Sequence, residues 1–387
     1  MKKQPLFTIN MVIKKIKIKN FRNIKSAEIE PIDGINIFTG ENAQGKSSFL
    51  ESITFISNGR SFRTTNDFDL INREEKIAFI EAIFENTENI KDEFSVSASI
   101  TDMGENKTNK KITFCKKDVK KLSEFIGKIN NTVFSKYDSE IASGSPSIRR
   151  NFIDRLLSFL DNEYLKNIKK FYTLLKEKNF LLKKEKNIIV ADVINEQLAE
   201  LSAYISEQRK SISKIIEKEA NKINSTEMLQ NFKIKFEYIP NIEYEGKTLE
   251  EIKNQINSTF KKYLNIEFER KATLKGIQRD EYNIELNSMS AKKYASQGQL
   301  KIISTVLKLT EFNLLEKQIN NTPIFLMDDC FSELDDINQI NLWNCLQKKG
   351  QIFLTSNGLP KNYAEYKNKQ IREYIIKQGN IIDIVDR

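Results

Sequence analysis

The sequence predicts an α/β fold, a head of parallel strands split in sequence by a mainly helical inserted lobe. Three observations carry this. A strand-like run, Ile35–Thr39, passes through a glycine-containing turn into a helical stretch, Ser48–Ile56. Two short apolar runs, Pro323–Asp329 and Gln351–Thr355, flank another helical stretch, which is the βαβ pattern of a parallel sheet. Between these halves, from Gly144 onward, the apolar spacing lengthens from the period of strands to that of helices. At 387 residues the chain is too long for one core of ordinary size and fits two lobes, or one domain with a large insertion.

Taken in order, residues 1–10 have no pattern and form an N-terminal extension. Met11–Lys19 alternates apolar and basic residues from Ile16, the period of a half-exposed strand. Further strands are expected at Ile77–Phe84, Phe94–Ile100, Lys111–Cys115 and Asn131–Phe134, separated by polar turns such as Thr101–Asn106. In Gly144-Ser145-Pro146-Ser147 the Ser-Pro pair suits an N-cap and first helical position. Phe152, Leu156, Leu160, Tyr164, Ile168, Phe171 and Leu175 then mark one helical stripe, and Leu198, Leu201, Ile205, Ile212, Ile216 and Ile223 a second. No heptad runs through both, and about 40 residues at ~1.5 Å each reach only ~60 Å, so a long coiled-coil arm is excluded. Strands resume at Phe232–Tyr238 and Tyr282–Leu286 and close with Gln370–Val385. The expected division is 11–140 for the first part of the head, 141–262 for the helical lobe and 263–387 for the second part.

Composition narrows the chemistry. With 39% hydrophobic and 30% charged residues and no apolar run near ~18 residues, no membrane span is expected. The basic start Met1–Phe7 lacks the apolar stretch of a secretory signal, so a cytoplasmic location is expected. Cys115, Cys330 and Cys345 show no metal-ligand spacing and suggest neither a disulfide framework nor a zinc site. The complete absence of histidine removes His-based triads and proton shuttles, leaving carboxylates, Lys, Ser/Thr and backbone amides. A net charge of +9 suits a polyanionic partner such as nucleic acid, or else reflects lysines on solvated faces.

The segment Gly40-Glu41-Asn42-Ala43-Gln44-Gly45-Lys46-Ser47 matches the phosphate-binding P-loop and stands between a strand and a helix, as that loop requires. Its backbone N–H groups suit the phosphates of ATP, Lys46 the β/γ oxygens, Ser47 a Mg²⁺ ion, and Ser48 the first helical turn. The strand Ile324–Met327 ends in Asp328, suited to Mg²⁺, and Asp329, placed as a general base for the attacking water; a plain acidic pair at a turn is the alternative. Ser296-Gln297-Gly298-Gln299 precedes that strand and Phe331-Ser332-Glu333-Leu334-Asp335 follows it. This is the order of ABC-type ATPases, in which Ser296, Gly298 and Gln299 would bind the γ-phosphate held by a second protomer.

From Met11 to its end the chain also resembles the RecF family of ABC-type, SMC-like ATPase heads, through Asn20-Phe21-Arg22-Asn23, Gly59–Thr64, Gly144–Arg150 and Gly276–Glu281, the last with Ile277-Gln278 where the family usually has Pro-His. The resemblance implies a cytosolic bacterial recombination mediator that binds ATP and Mg²⁺, forms an ATP-dependent homodimer, engages double-stranded and gapped DNA, and works with RecR and RecO to help load RecA. By analogy with related heads, Arg22 and Asn23 would lie at the adenosine side of ATP, and Thr355 at the switch position, able to hydrogen-bond but not to take a proton as histidine does. Arg60, Arg63, Arg149 and Arg150 are candidates for DNA phosphates, the first pair also for sensing nucleotide; the structural alternative is pairing with Asp154 or Glu51. The rival functions are an SMC-like DNA tether, opposed by the short helical insertion, and the nucleotide-binding subunit of a transporter, opposed by the long insertion, the missing histidine and the Asp-Asp pair. A Q-loop glutamine is not placed.

Overall fold

The computed structural model describes residues 11–86, 93–125, 127–184, 187–228, 230–245, 248–319, 322–329, 331–332, 334–359 and 369–387. The N-terminal extension, Cys330 and Glu333 lie outside them. Two compact units emerge: one from the residues up to Ser139 together with 225–230 and 297–387, the other from 140–224 and 231–296. The sequence reading began the second part of the head at 263, whereas the structure begins it at 297. The reason is that 277–290 is tied into the second unit, as described below.

The first unit carries β1 (Met11–Phe21), β2 (Ile24–Ile29), β3 (Ile35–Thr39), α1 (Lys46–Asn58), β4 (Ile77–Asn86), β5 (Glu93–Asp102), β6 (Thr108–Phe114), β7 (Lys117–Asp118), α2 (Leu122–Phe125) and β8 (Asn131–Phe134). The second unit contains α3 (Pro146–Leu160), α4 (Asn162–Lys184), α5 (Ile188–Thr226), β9 (Ile234–Ile239), α6 (Leu249–Arg270), β10 (Glu281–Leu286), β11 (Met289–Ser290) and α7 (Ala291–Tyr294). The chain then returns to the first with α8 (Gln297–Ile319), β12 (Ile324–Met327), α9 (Asp336–Leu346), β13 (Ile352–Ser356), β14 (Ile371–Lys377) and β15 (Asn380–Asp386).

Two six-stranded sheets form the first unit. One is antiparallel, in the order β2-β1-β4-β5-β6-β7. The other runs β15-β14-β3-β13-β12-β8 and is parallel except for β15 at its edge. Alternation places Ile16, Ile18, Ile80, Ala82, Val96 and Ala98 of the antiparallel sheet in the core. Phe38, Leu326 and Phe353 enter the same core from the parallel sheet. Helix α1 is buried from Ser48 through Ser57, and its own carbonyls accept the hydroxyls of Ser52, Thr54 and Ser57, so these polar groups enter the core satisfied. Residues 225–230 join this unit through α9: the Asn341 side chain donates to the Met228 carbonyl at 3.1 Å and Gln230 to Asn338 at 2.7 Å.

In the second unit the first expected stripe is divided. Asp161 takes an extended conformation between α3 and α4, and its carboxylate accepts the Glu163 N–H at 2.8 Å, which starts a new helix in the middle of the apolar pattern. The second stripe is the 39-residue α5, about 58 Å long at ~1.5 Å per residue. Arg209, fully buried on α5, donates to both oxygens of Asp154 at 3.0 and 2.8 Å, to Asp280 at 2.7 Å and to the Ile277 carbonyl at 2.8 Å. Tyr164 donates to Asp154 and Tyr238 to Asp280, each at 2.6 Å. β10 pairs with β9 along its whole length, so strand pairing and this buried network together hold 277–290 in the unit. Helix α6, which sequence periodicity did not single out, opens with a reciprocal cap between Thr248 and Glu251.

Truncating Arg209 leaves buried Asp280 and partly buried Asp154 without their cation. Arg209→Ala is expected to cost about 3–5 kcal/mol, read as a fall in the urea midpoint with α-helical circular dichroism as the probe.

Candidate nucleotide-binding site

The Gly40–Ser47 loop leaves the end of β3 and closes on the first turn of α1, whose N-terminal flank is Gly45. Gly45 has φ 103°, and a Cβ there would lie 2.4 Å from the Asn23 amide, so only glycine fits both the turn and its neighbour. Ala43 is also left-handed, at φ 65°. The Lys46 ammonium donates to the Gly40 carbonyl, to the Glu41 carbonyl at 3.1 Å and to Asn357 Oδ1 at 2.6 Å. Burial lowers its pKa, opposed by the negative charges of Asp329 and Asp328.

At the C-terminal ends of the parallel strands, Asp328 gathers the catalytic candidates. Ser47 Oγ donates to Asp328 Oδ1 at 2.7 Å and Thr355 Oγ1 donates to the same oxygen at 2.8 Å. Thr355 in turn accepts the Asp329 N–H at 2.8 Å. Asp329 itself is exposed and left-handed, φ 54°. Thr355, the expected switch position, lies buried within β13, where it positions both aspartates. Asn357, two residues on, is the group that meets Lys46; sequence reasoning passed over it. Two hard oxygen donors, Ser47 Oγ and the Asp328 carboxylate, fit Mg²⁺, which keeps waters and phosphate oxygens among its ligands. Among the described residues no cluster of three or more Asp, Glu, Cys or His forms an all-protein metal cage.

Arg22 and Asn23 brace this loop. Asn23 accepts from Ser48 Oγ at 2.9 Å and donates to the Gln44 carbonyl at 3.3 Å. Arg22 places Nε and Nη2 on the two oxygens of Glu51, at 3.0 and 2.8 Å. Glu51, fully buried on α1, also receives the Ser61 hydroxyl and Arg63 Nη1, the latter at 3.4 Å. The turn between β14 and β15 closes over the other side: the Gly379 N–H donates to the Gln44 carbonyl and the Gln378 N–H to Gln44 Oε1, both at 2.8 Å. A Cβ at Gly379 would lie 2.2 Å from the Asn23 carbonyl.

The remaining candidates stand elsewhere. Ser296 is exposed just before α8, with Gly298 and Gln299 half-buried in that helix's first turn. Beyond Asp329, Ser332 donates to the Asp329 carbonyl at 3.1 Å, and Asp335 caps α9 by accepting the Asn338 N–H at 2.8 Å. Arg60 is exposed, and among the described residues no side chain is paired with it. Arg63 takes the structural alternative, on Glu51. Arg149 does not present itself to a polyanion: it is 4% exposed and donates to Glu281 at 2.9 Å and to the Gly144 carbonyl at 2.9 Å. Arg150 spends one nitrogen on the Asp280 carbonyl at 2.7 Å. Asp154, weighed as a partner for these arginines, is occupied by Arg209. Cys115 and Cys345 are free thiols, and no described helix is long and apolar enough to cross a membrane.

Residues 12–379 match the model of the RecF/RecN/SMC N-terminal domain. The DNA replication and repair protein RecF of Lysinibacillus sphaericus is 32% identical over 378 residues, covering 96% of this chain and 99% of that protein. The Staphylococcus aureus protein of the same name is 31% identical over 382 residues, covering 96% and 100%. The fold is similar to that of the recombination mediator RecF–ATP of the RecFOR pathway, with TM-score 0.85, 26% identity and 97% and 98% coverage. It is also similar to the Smc head domain of Pyrococcus furiosus bound to the C-terminal domain of ScpA, with TM-score 0.56, 15% identity and 97% and 96% coverage, a likeness of fold.

The Glu51 cluster yields a stability test. Glu51→Ala strips Arg22, Arg63 and Ser61 of their shared acceptor and is expected to cost about 2–3 kcal/mol, with Arg63→Ala losing well under half of that because its bond is long and half-exposed. Thermal unfolding of the two variants compares them directly.

Proposed function

The chain belongs to the RecF family, and from that premise we propose that it is an ATP-driven mediator of DNA recombination and repair that closes into a homodimer on ATP and opens on slow hydrolysis. The observation that carries this reading is the meeting of Ser47 with Asp328 at 2.7 Å, which joins the phosphate loop after β3 to the end of β12, two strands away in the parallel sheet, in the arrangement a nucleotide-bound metal requires.

In this reading the Gly40–Ser48 amides and Lys46 hold the β- and γ-phosphates, and Ser47 with Asp328 holds Mg²⁺. When bound, that ion neutralises charge developing on the phosphates. Asp329 orients the attacking water and draws its proton; its exposure and short side chain accord with slow turnover. Thr355 acts as a positioning residue, because its hydroxyl sets both Asp328 and the Asp329 backbone. Asn357 Oδ1 adds a further acceptor for Lys46 beside the loop carbonyls. Arg22 and Asn23 act on the nucleotide through the loop they brace.

Ser296, Gly298 and Gln299 complete the site in trans. The exposed start of a 23-residue helix presents its positive end, with a small residue where a phosphate approaches closely. The dimer then engages double-stranded DNA at gaps through phosphate contacts that confer no sequence preference, with Arg60 the leading side chain. By family, RecR with RecO is the protein partner, RecA the downstream beneficiary and the cytoplasm the location. An SMC-like tether is disfavoured because the longest described helix, α5, has 39 residues, all but the last two in one compact unit.

Light scattering on a sizing column tests the clamp. Wild type is expected to double its mass with Mg-ATP and to retain a gapped duplex better in that state, while Ser296→Arg stays monomeric with nucleotide bound. A wild-type monomer indifferent to nucleotide and DNA sinks the reading. Asp329→Asn is expected to slow phosphate release about a hundredfold while prolonging the ATP-bound dimer; unchanged turnover would remove Asp329 from the role of base.

A further inference from the structure

The second unit holds a cleft of about 490 Å³, away from every group assigned above except Arg150. Arg150 and Arg279 both line it, and none of its lining residues is a carboxylate. Each guanidinium is anchored by one nitrogen, Arg150 on the Asp280 carbonyl at 2.7 Å and Arg279 on the Thr273 carbonyl at 3.1 Å, which fixes the forks and leaves further N–H donors for the cleft. Ser147 adds a hydroxyl at the first turn of α3, a 15-residue helix whose flanking Ser145 makes no side-chain cap.

An independent observation points to a ligand. Thr273 is only 6% exposed and lines the cleft, yet its hydroxyl has no hydrogen-bond partner; Gln278, also on the wall, leaves its Oε1 equally unmet. Buried polar atoms without partners are uncommon and costly, and two of them bordering one basic cleft fit a polar group held there. Leu175 supplies an apolar patch of wall, and the volume exceeds what a bare tetrahedral oxyanion needs.

We propose that this cleft is a second anion site, separate from the P-loop, that takes a small phosphomonoester: the forks of Arg150 and Arg279 grip the phosphoryl oxygens, Thr273 and Ser147 add hydroxyls, and the organic body lies against Leu175. The segment Gly276–Glu281, singled out in the sequence but unused by the ATP site, thereby gains a role through Gln278 and Arg279. A free small molecule and a polynucleotide share phosphate chemistry; the apolar Leu175 and Pro146 beside the two arginines favour the former.

The test is calorimetric titration of the full chain carrying Lys46→Ala, which silences the P-loop, with phenyl phosphate, inorganic phosphate and phenyl sulfate as probes. Saturable one-to-one binding is expected, tightest for phenyl phosphate. Arg279→Ala and Arg150→Lys should each weaken it about tenfold, since either removes a planar fork. Thr273→Val should weaken it about threefold while keeping the shape of the wall. Lys116→Ala, on an exposed turn of the first unit, should leave it unchanged, and matched thermal midpoints confirm folding. No saturable heat at millimolar probe, or binding undiminished by both Arg279→Ala and Thr273→Val, overturns the site. Displacement of phenyl phosphate by duplex DNA lacking terminal phosphates overturns the small-ligand assignment and makes the cleft a backbone contact.

Discussion

One carboxylate oxygen, Asp328 Oδ1, is the point on which the head depends. It receives the hydroxyls of Ser47, from the start of α1, and of Thr355, from β13, so a single acceptor ties the phosphate loop to two strands that lie far from it in sequence. Asp328 is buried, and its backbone N–H donates to the Phe134 carbonyl of β8 at 2.7 Å, which fixes the strand end against the next strand of the sheet. A charge in such a place is tolerated because hydrogen bonds surround it, and a cation arriving with nucleotide would find the oxygens already converged. Asp329 gains its exposed, left-handed geometry from the same arrangement, through its N–H on Thr355.

The rest of the first unit keeps that point in register. Helix α1, buried from Ser48 to Ser57, fills the core shared by the two sheets, so the loop before it has little freedom to shift. Buried Glu51 extends the hold outward by gathering Arg22, Arg63 and Ser61 on one carboxylate. Arginines that resemble polyanion contacts in sequence are thus divided by the fold. Arg63 and Arg149 serve internal carboxylates, Arg60 stays in solvent, and Arg150 borders a cleft.

Much of this was legible in the sequence because it is local. The strand Ile35–Thr39 has the bounds read from apolar run and turn, and Pro146 opens α3 as the Ser-Pro pair predicted. The loop, the strand-end aspartates and the run before α8 announce themselves by residue type at fixed spacing. What was not legible depends on partners distant in the chain. Nothing near Thr355 indicates that its hydroxyl is shared between two aspartates, and nothing near Asn357 predicts Lys46. The break at Asp161 hides inside a continuous stripe, since one aspartate capping a new helix leaves the apolar period almost intact. The start of the second head segment at 297 rather than 263 follows from β9–β10 pairing and from Arg209, neither of which has a local signature. Arg149 looked available because its neighbours in sequence are polar, while its acceptor, Glu281, is 132 residues away.

The strand that feeds the phosphate loop lies between β13 and β14, so both of its backbone edges are completed by chain made much later; Asn36, on that strand, bonds to the Ile352 carbonyl 316 residues on. At elongation rates of about 5–20 residues per second that interval is roughly 15–60 s. For most of it, the sheet neighbours of β3 have not been made, and neither have Asp328, Asn357 and the Gln378-Gly379 turn that hold its loop. A ribosome-bound chain therefore has a phosphate loop in sequence long before it has one in structure, and competence for nucleotide arrives late in synthesis.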